Sequence, residues 1–255
     1  MPNIWRTVAS WAAAALLSGC GFSQVAHTAR FALLAPFEGE YRHVGYNALY
    51  AAQLAFQEAG TWSALLAVDD GGTLELAVQR AAALKRDPSL AGVVVVGPFS
   101  THADVQAQLV NIPLIVVGSW GAVPSQPHAV QLAPSVLDTS QLFDGLSDER
   151  ADHPRAPVGT RFLSAGMPPD DDYTLRYRAL SPYTPAPNTY ATLVTDAFAL
   201  LIESYLNGTP LRSTSIQGIN GRIAFDDRGF WLNASLLVYE VTTTGYRVTR
   251  SDQSD

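Results

Sequence analysis

Apolar residues fall along this chain in short unbroken runs, set between longer stretches of helical period. The runs are RFALLA at 30–35, SALLAV at 63–68, four valines at 93–96 and IPLIVV at 112–117. A half-buried strand alternates apolar and polar residues, because successive side chains point to opposite faces. Runs that are apolar throughout fit strands buried on both faces, as in a parallel sheet covered by helices. In 44–59, Leu49, Ala52, Phe56 and Ala59 recur at three- and four-residue steps, which predicts a helix burying that face and stopping at Gly60. Thr73 is placed to cap a second predicted helix over 74–86, with Leu76, Ala77, Arg80, Ala81 and Leu84 along one side and Pro88 beyond its end. A third helix is predicted over 101–109. Strand and helix in regular alternation predict an α/β unit with a parallel sheet. The loops that follow the four strands, PFEGEYRH, DDGG, GPFST and GSWGAVP, then gather at the carboxyl edge, where open α/β sheets bind ligands.

After Ala122 the pattern fails. The stretch 124–157 holds five prolines, scattered charges and one short apolar cluster at 136–143, and it reads as irregular. Order returns with a predicted strand over 160–165 and a helix over 170–180. That helix has acidic residues at its start and Arg176 and Arg178 near its end, as the helix dipole favours. Asn188 or Thr189 can cap a long helix over 190–206, buried through Leu193, Ala197, Leu200, Leu201 and Tyr205. The tail reads as β structure over 221–225, 235–241 and 246–249, with turns between.

The first residues change the picture of where the chain resides. MPNIWRTVASWAAAALLSGC has a basic start at Arg6 and an apolar run from Val8 to Leu17. The run is shorter than the about 20 residues of a membrane-spanning helix and suits the core of a signal peptide. Leu17-Ser18-Gly19-Cys20 resembles the lipobox of bacterial lipoproteins, in which the cysteine is lipidated and becomes the first mature residue. Cys20 is the only cysteine, so a disulfide within one chain is excluded. The expected location is extracytoplasmic, with a lipid holding the chain to the bacterial membrane. Hydrophobic residues make up 47% of the chain and charged ones 15%, the balance of a globular core. A net charge of −7 argues against nucleic acid as a partner, since phosphate recognition needs a basic footprint.

The chain carries no recognisable enzyme motif. Ser119 does not sit in a nucleophile elbow, because Val117 stands where G-x-S-x-G requires glycine. No phosphate-binding glycine motif is present. His27, His43, His102, His128 and His153 are dispersed, without the spacing of metal ligands. Asp69-Asp70 could suggest a cation site, but followed by Gly71-Gly72 they fit a strand-ending turn better. No enzymatic activity, cofactor or metal is expected.

Several stretches carry a resemblance in their order. LLAPFEGEYRHVGYNALYAAQLAFQEAG resembles the opening strand, loop and helix of the type I periplasmic binding proteins of the leucine/isoleucine/valine-binding family. LLAVDDGGTLELAVQRAAALKRDPSLAGVVVVGPFST is similar to that family's next unit, and IPLIVVGS to the strand after it. NTYATLVTDAFALLIESYLNG resembles its Tyr-Asp-Ala helix, with Thr195-Asp196-Ala197 at that motif, and GRIAFDDRGF its Phe-Asp hairpin, except at Phe230.

The resemblance implies two lobes closing over a small ligand, often an amino acid, that is passed to an ABC permease. It implies ligand contacts from Ser100 and Thr101 after the third strand and from Ser119 after the fourth, where Gly121 stands in place of a threonine-like residue and Trp120 is placed either to stack on a ligand or to seal an interface. Tyr41 and His43 lie in the first loop, on the same rim. It also implies several βαβ units for the second lobe, each of about 30 or more residues. Only 124–157 is in place to hold them. The expected division is therefore a signal peptide at 1–19, a tether at 20–29, an α/β first lobe at 30–123 and an irregular linker at 124–157 replacing most of lobe two. A remainder at 158–250 would complete lobe one and end in β-hairpins. Two functions follow from this: a shortened solute-binding lipoprotein of the ABC-transporter type, or a single-lobe lipoprotein that serves as a protein-interaction or envelope-regulatory module.

Overall fold

The computed structural model describes residues 28–61, 63–133, 157–243 and 245–251. The expected signal segment, Cys20 and most of the 124–157 stretch lie outside the described residues. The apolar runs form the strands β1 (Arg30–Ala35), β2 (Ala64–Asp69), β3 (Leu90–Val96) and β4 (Leu114–Val117). A fifth strand, β5 (Ala129–Leu132), joins them in one parallel sheet of order β2-β1-β3-β4-β5. Its sequence, AVQL, lies within the stretch expected to be irregular. Four residues between prolines, one of them a glutamine, are too few to establish a period.

The runs of β1, β3 and β4 behave as strands covered on both faces, whereas β2, at the edge of the sheet, has no buried residue although its run reads the same way. Phe31, Leu33 and Ala35 point to one face with Val94, Val96, Ile115 and Val117. Ala32 and Leu34 point to the other with Val93, Val95, Leu114 and Val116. Helices α1 (Arg42–Ala59) and α5 (Thr189–Asn207) cover the first face. Helices α2 (Leu74–Leu84) and α3 (Ala103–Gln108) cover the second. This is a doubly wound sheet whose order reverses between β1 and β3, so the loops after those two strands frame its crevice.

The caps explain the helix boundaries. Thr73 Oγ1 accepts from Leu76 N at 3.3 Å, Asp170 Oδ1 from Tyr173 N at 2.7 Å and Asn188 Oδ1 from Ala191 N at 3.2 Å. The third helix starts later than expected. Thr101 turns its hydroxyl back onto Gly97 O at 2.8 Å, and His102 becomes the cap, accepting from Asp104 N at 3.2 Å. The buried face of α1 also differs from the expectation: Ala48, Ala51, Ala52 and Ala55 are buried, whereas Leu49 and Phe56 are half-buried and Ala59 is exposed. An alanine face lets α1 lie close to α5. Thr195 Oγ1 of α5 donates to Ala51 O at 3.4 Å. Tyr205 is likewise about half exposed, its ring set edge-on to Phe31 at 5.5 Å.

A second, smaller sheet is antiparallel, with order β10-β9-β6, from β6 (Arg161–Ser164), β9 (Leu237–Thr242) and β10 (Gly245–Ser251). Its core is Phe162, Leu237 and Tyr239, with Phe162 and Tyr239 stacked at 5.2 Å. Between β6 and α5 lies α4 (Asp171–Ala179), which packs on α1. A two-strand hairpin of β7 (Ile216–Gly218) and β8 (Gly221–Ile223) follows α5. Asp196 of α5 receives Ile219 N, Asn220 N and Asn220 Nδ2 at 2.7–2.8 Å, which fixes the turn of that hairpin. Gly218 makes room for it, since a Cβ there would lie 2.5 Å from the Asp196 carboxylate. No helix among the described residues is long and apolar enough to cross a membrane.

Candidate functional site

The loops at the carboxyl edge of the large sheet are braced by a chain of buried polar contacts. The first loop is tied to the second through Phe37 N, which donates to Asp69 Oδ1 at 2.7 Å. Asp69 Oδ2 and Asp70 Oδ1 accept from Gly71 N and Gly72 N at 3.0 and 2.9 Å. The Asp-Asp pair therefore works as a turn, with three of its four oxygens turned onto backbone donors. The second loop is tied to the third by Ser100, whose Oγ donates to Asp70 Oδ2 at 3.0 Å. Burial pushes the Asp70 carboxyl above its ordinary value, against the hydrogen bonds from Gly72 and Ser100, and the neighbouring Asp69 adds to the rise.

Two glutamines complete the bracing. Gln106 Nε2 donates to Thr101 O and Val123 O, both at 2.9 Å, and its Oε1 accepts from Ser125 N and Oγ at 2.9 and 3.0 Å. One buried side chain thus joins the third loop to the fourth. Gln131 of β5 donates through Nε2 to Gly118 O and Ala122 O, each at 3.0 Å, and clasps the Ser119-Trp120-Gly121 turn at both ends.

The expected site residues fall into two groups. Ser100 and Thr101 are fully buried, and their hydroxyl protons go to Asp70 and to Gly97 O. Neither offers a hydroxyl to an open cleft in this conformation, which differs from the ligand contact that the resemblance implied. Trp120 is 4% exposed, with backbone φ of 42° and Nε1 donating to Val117 O at 3.0 Å. Tyr190, at the start of α5, stacks on its indole at 5.4 Å, and Tyr41 meets it edge-on at 5.7 Å. The rings of Tyr41, Trp120 and Tyr190 thus fill the space beneath the fourth loop. Tyr41, His43 and Ser119 are half-buried and lie at the rim. Asn47, one turn into α1, donates to His43 O at 3.0 Å, and its Oδ1 accepts from Asn188 N at 3.1 Å, so the first turn of α1 is tied to the cap of α5.

Gln106, Gln131 and Tyr190 escaped the sequence reading. A glutamine inside a short amphipathic helix reads as a surface residue. Gln131 carried more signal, as a polar residue flanked by Val130 and Leu132. Tyr190 has no local mark that pairs it with a tryptophan far earlier in the chain. No group of acidic, histidine or cysteine side chains that could hold a metal occurs among the described residues.

With this geometry the fold is that of the type I periplasmic binding proteins. An extracellular ligand-binding receptor from Desulfohalobium retbaense superposes with a TM-score of 0.69 at 14% identity, covering 88% of this chain. This chain spans 60% of that receptor. A periplasmic binding protein from Burkholderia mallei matches at a TM-score of 0.68 and 10% identity, over 89% of this chain and 95% of its own. The leucine-binding protein LivK from Thermotoga maritima matches at 0.59 and 16%, over 88% of this chain and 98% of its own. Other similar structures are substrate-binding proteins of ABC transporters. No protein-family model matches the sequence, and no curated protein sequence matches it.

Proposed function

We propose that this protein is an extracytoplasmic solute-binding lipoprotein of the ABC-transporter type, with a first lobe braced to receive a small polar ligand such as an amino acid. The observation that carries this reading is the bracing itself. Four loops of the carboxyl edge are fixed to one another through Asp69, Asp70, Gln106 and Gln131. A preorganised wall lowers the ordering cost of binding. Tyr41, His43 and Ser119 are assigned to ligand contact, and Ser100, Thr101 and Trp120 to holding the loops that present them. Cys20 carries the lipid, and a permease is the downstream partner. The test is thermal unfolding against amino acids, amides and small organic acids at millimolar concentration. A ligand that binds the folded state alone raises the melting temperature, by about 2.7 kcal/mol of stability at a hundredfold excess over Kd. An unchanged melting temperature across the panel sinks the transport reading. For the anchor, Cys20→Ala is expected to move the protein from the membrane fraction to the soluble fraction.

A second reading is favoured by a specific observation. Ser100, Thr101 and Trp120, the residues that would grip a ligand from lobe one, are turned into the core. A lobe whose grip is filled by Tyr41 and Tyr190 suits a protein partner better than an enclosed small molecule, since ligand sites of this kind bury most of the ligand surface. Cross-linking in the native envelope separates the two readings: capture of a permease supports the first, and capture of another envelope protein with no ligand response supports the second.

A further inference from the structure

The strand ends opposite the candidate cleft carry a different feature. A half-open hollow of about 630 Å³ lies at the amino edge of the large sheet, among the starts of β3, β4 and β5 and the end of α5. Its wall is apolar at Ala91, Pro113, Leu201 and Leu211. Into that wall are set His128 and Arg212. Arg212 is held by backbone carbonyls alone: Nη2 donates to Gln126 O at 3.0 Å and Arg228 O at 3.2 Å, Nη1 to Asp227 O at 2.7 Å and Nε to Ala129 O at 3.4 Å. It forms no ion pair among the described residues, and the second N–H of Nη1 meets no acceptor there. The guanidinium is therefore a fixed positive charge, ordered before any ligand arrives, at the lip of an apolar hollow. His128 Nε2 is 3.2 Å from Leu109 O and so donates to it, which leaves Nδ1 as an acceptor in the neutral ring. Burial, together with the charge of Arg212, lowers the pKa of the ring from its ordinary value, against the hydrogen bond to Leu109 O.

We infer that this hollow is a second binding site, separate from the carboxyl-edge cleft, for a small carboxylate with an apolar body, its anionic head on Arg212 and its tail along Ala91, Pro113 and the ring of Tyr205. The size suits it, since pockets for small organic ligands run from about 300 to 1,000 Å³. The electrostatics suit it as well, because a charge-assisted hydrogen bond to a preordered arginine is among the stronger polar contacts. The net charge of −7 supplies no long-range attraction for an anion, so recognition rests on the local arrangement.

The test uses octanoate as the probe, with octanol as its uncharged counterpart, and reads binding by calorimetry on the whole soluble chain. Octanoate is expected to bind saturably, and octanol at least about tenfold more weakly, the loss of one charge-assisted hydrogen bond. Arg212→Gln is expected to weaken octanoate by a similar factor. Since Arg212 also ties two loops, Ala91→Phe serves as a second variant: it fills the hollow without touching those hydrogen bonds and is expected to abolish binding. A Tyr41→Ala, His43→Ala double variant is expected to bind octanoate as the parent does. Absence of saturable binding, equal binding of octanol, or binding that persists in Ala91→Phe overturns the proposal. Binding lost in the Tyr41, His43 variant would overturn it also, by placing octanoate in the cleft.

Discussion

Asp70 and Asp196 are both buried carboxylates, and their surroundings set opposite responses to the same substitution. Each has a carboxyl raised above its ordinary value of 3.8, chiefly by burial. A raised acid favours the folded state fully below its unfolded pKa, and that contribution is lost as pH rises through the folded value. Asp70→Asn removes the buried charge and keeps the geometry, since the amide oxygen still accepts from Gly72 and the amide nitrogen can donate to Ser100 Oγ. At pH 7 the variant is expected to unfold within about 1 kcal/mol of the parent or above it, and Asp70→Ala to lose about 1–3 kcal/mol. Urea unfolding at pH 4 and pH 7 checks both, and the advantage of Asn over Asp should shrink toward pH 4. Asp196→Asn goes the other way. Both Asp196 oxygens face N–H donors from Ile219 and Asn220, so an amide nitrogen there meets donors with a donor. The expected loss is about 2–3 kcal/mol, again by urea unfolding.

Among the elements, α1 is defined by how closely it approaches its neighbours. A Cβ on Gly45 would lie 1.8 Å from Pro36 O, so the first turn of α1 is pressed against the end of β1. Gly45→Ala is expected to cost about 1–3 kcal/mol through forced displacement of that loop, despite alanine's higher helix propensity, and a calorimetric melt would show it. Gln106 does for the loops what Gly45 does for the helix. Gln106→Leu is expected to leave the strands protected and to speed amide exchange at Ser125, whose N–H loses its acceptor. These elements show what the sequence could reveal. β1, β3 and β4 were legible because burial on both faces leaves no polar position inside a strand, and the edge strand β2 was legible from its apolar run alone. The capping residues Thr73 and Asn188, the latter as one of two candidates, were legible because a cap acts within three residues of itself, whereas Asp170, read as the acidic first residue of its helix, is its cap. The α1 face was misjudged by its larger side chains, when its small ones set the contact. β5 escaped notice because its burial depends on a neighbour already in place. The roles of Gln106 and Gln131 rest on loops brought together only by the finished sheet, and no local pattern announces that.

At the scale of the molecule, the two sheets are unequal. Five parallel strands carry two extensive cores, and three antiparallel strands carry a core of three large side chains. The large sheet is also completed late. All five of its strands lie before residue 134, yet one face is covered in part by α5 and by the 225–231 turn, where Phe230 bridges to Gln131 and Trp231 joins the core. A fragment of residues 28–133 is therefore expected to remain unfolded or to aggregate, and to gain cooperative unfolding only when residues 157–251 are supplied in trans. Circular dichroism of the two pieces, separate and mixed, checks this. The late cover bears on synthesis as well. Between the appearance of β5 and the end of α5 the ribosome needs on the order of 4–15 s at about 5–20 residues per second. Throughout that interval α1 alone covers the face, over β1 and β3, where Phe56 meets Phe31, and Ile115 of β4 waits for α5. The nascent chain is thus held back from complete closure by the order of its own parts.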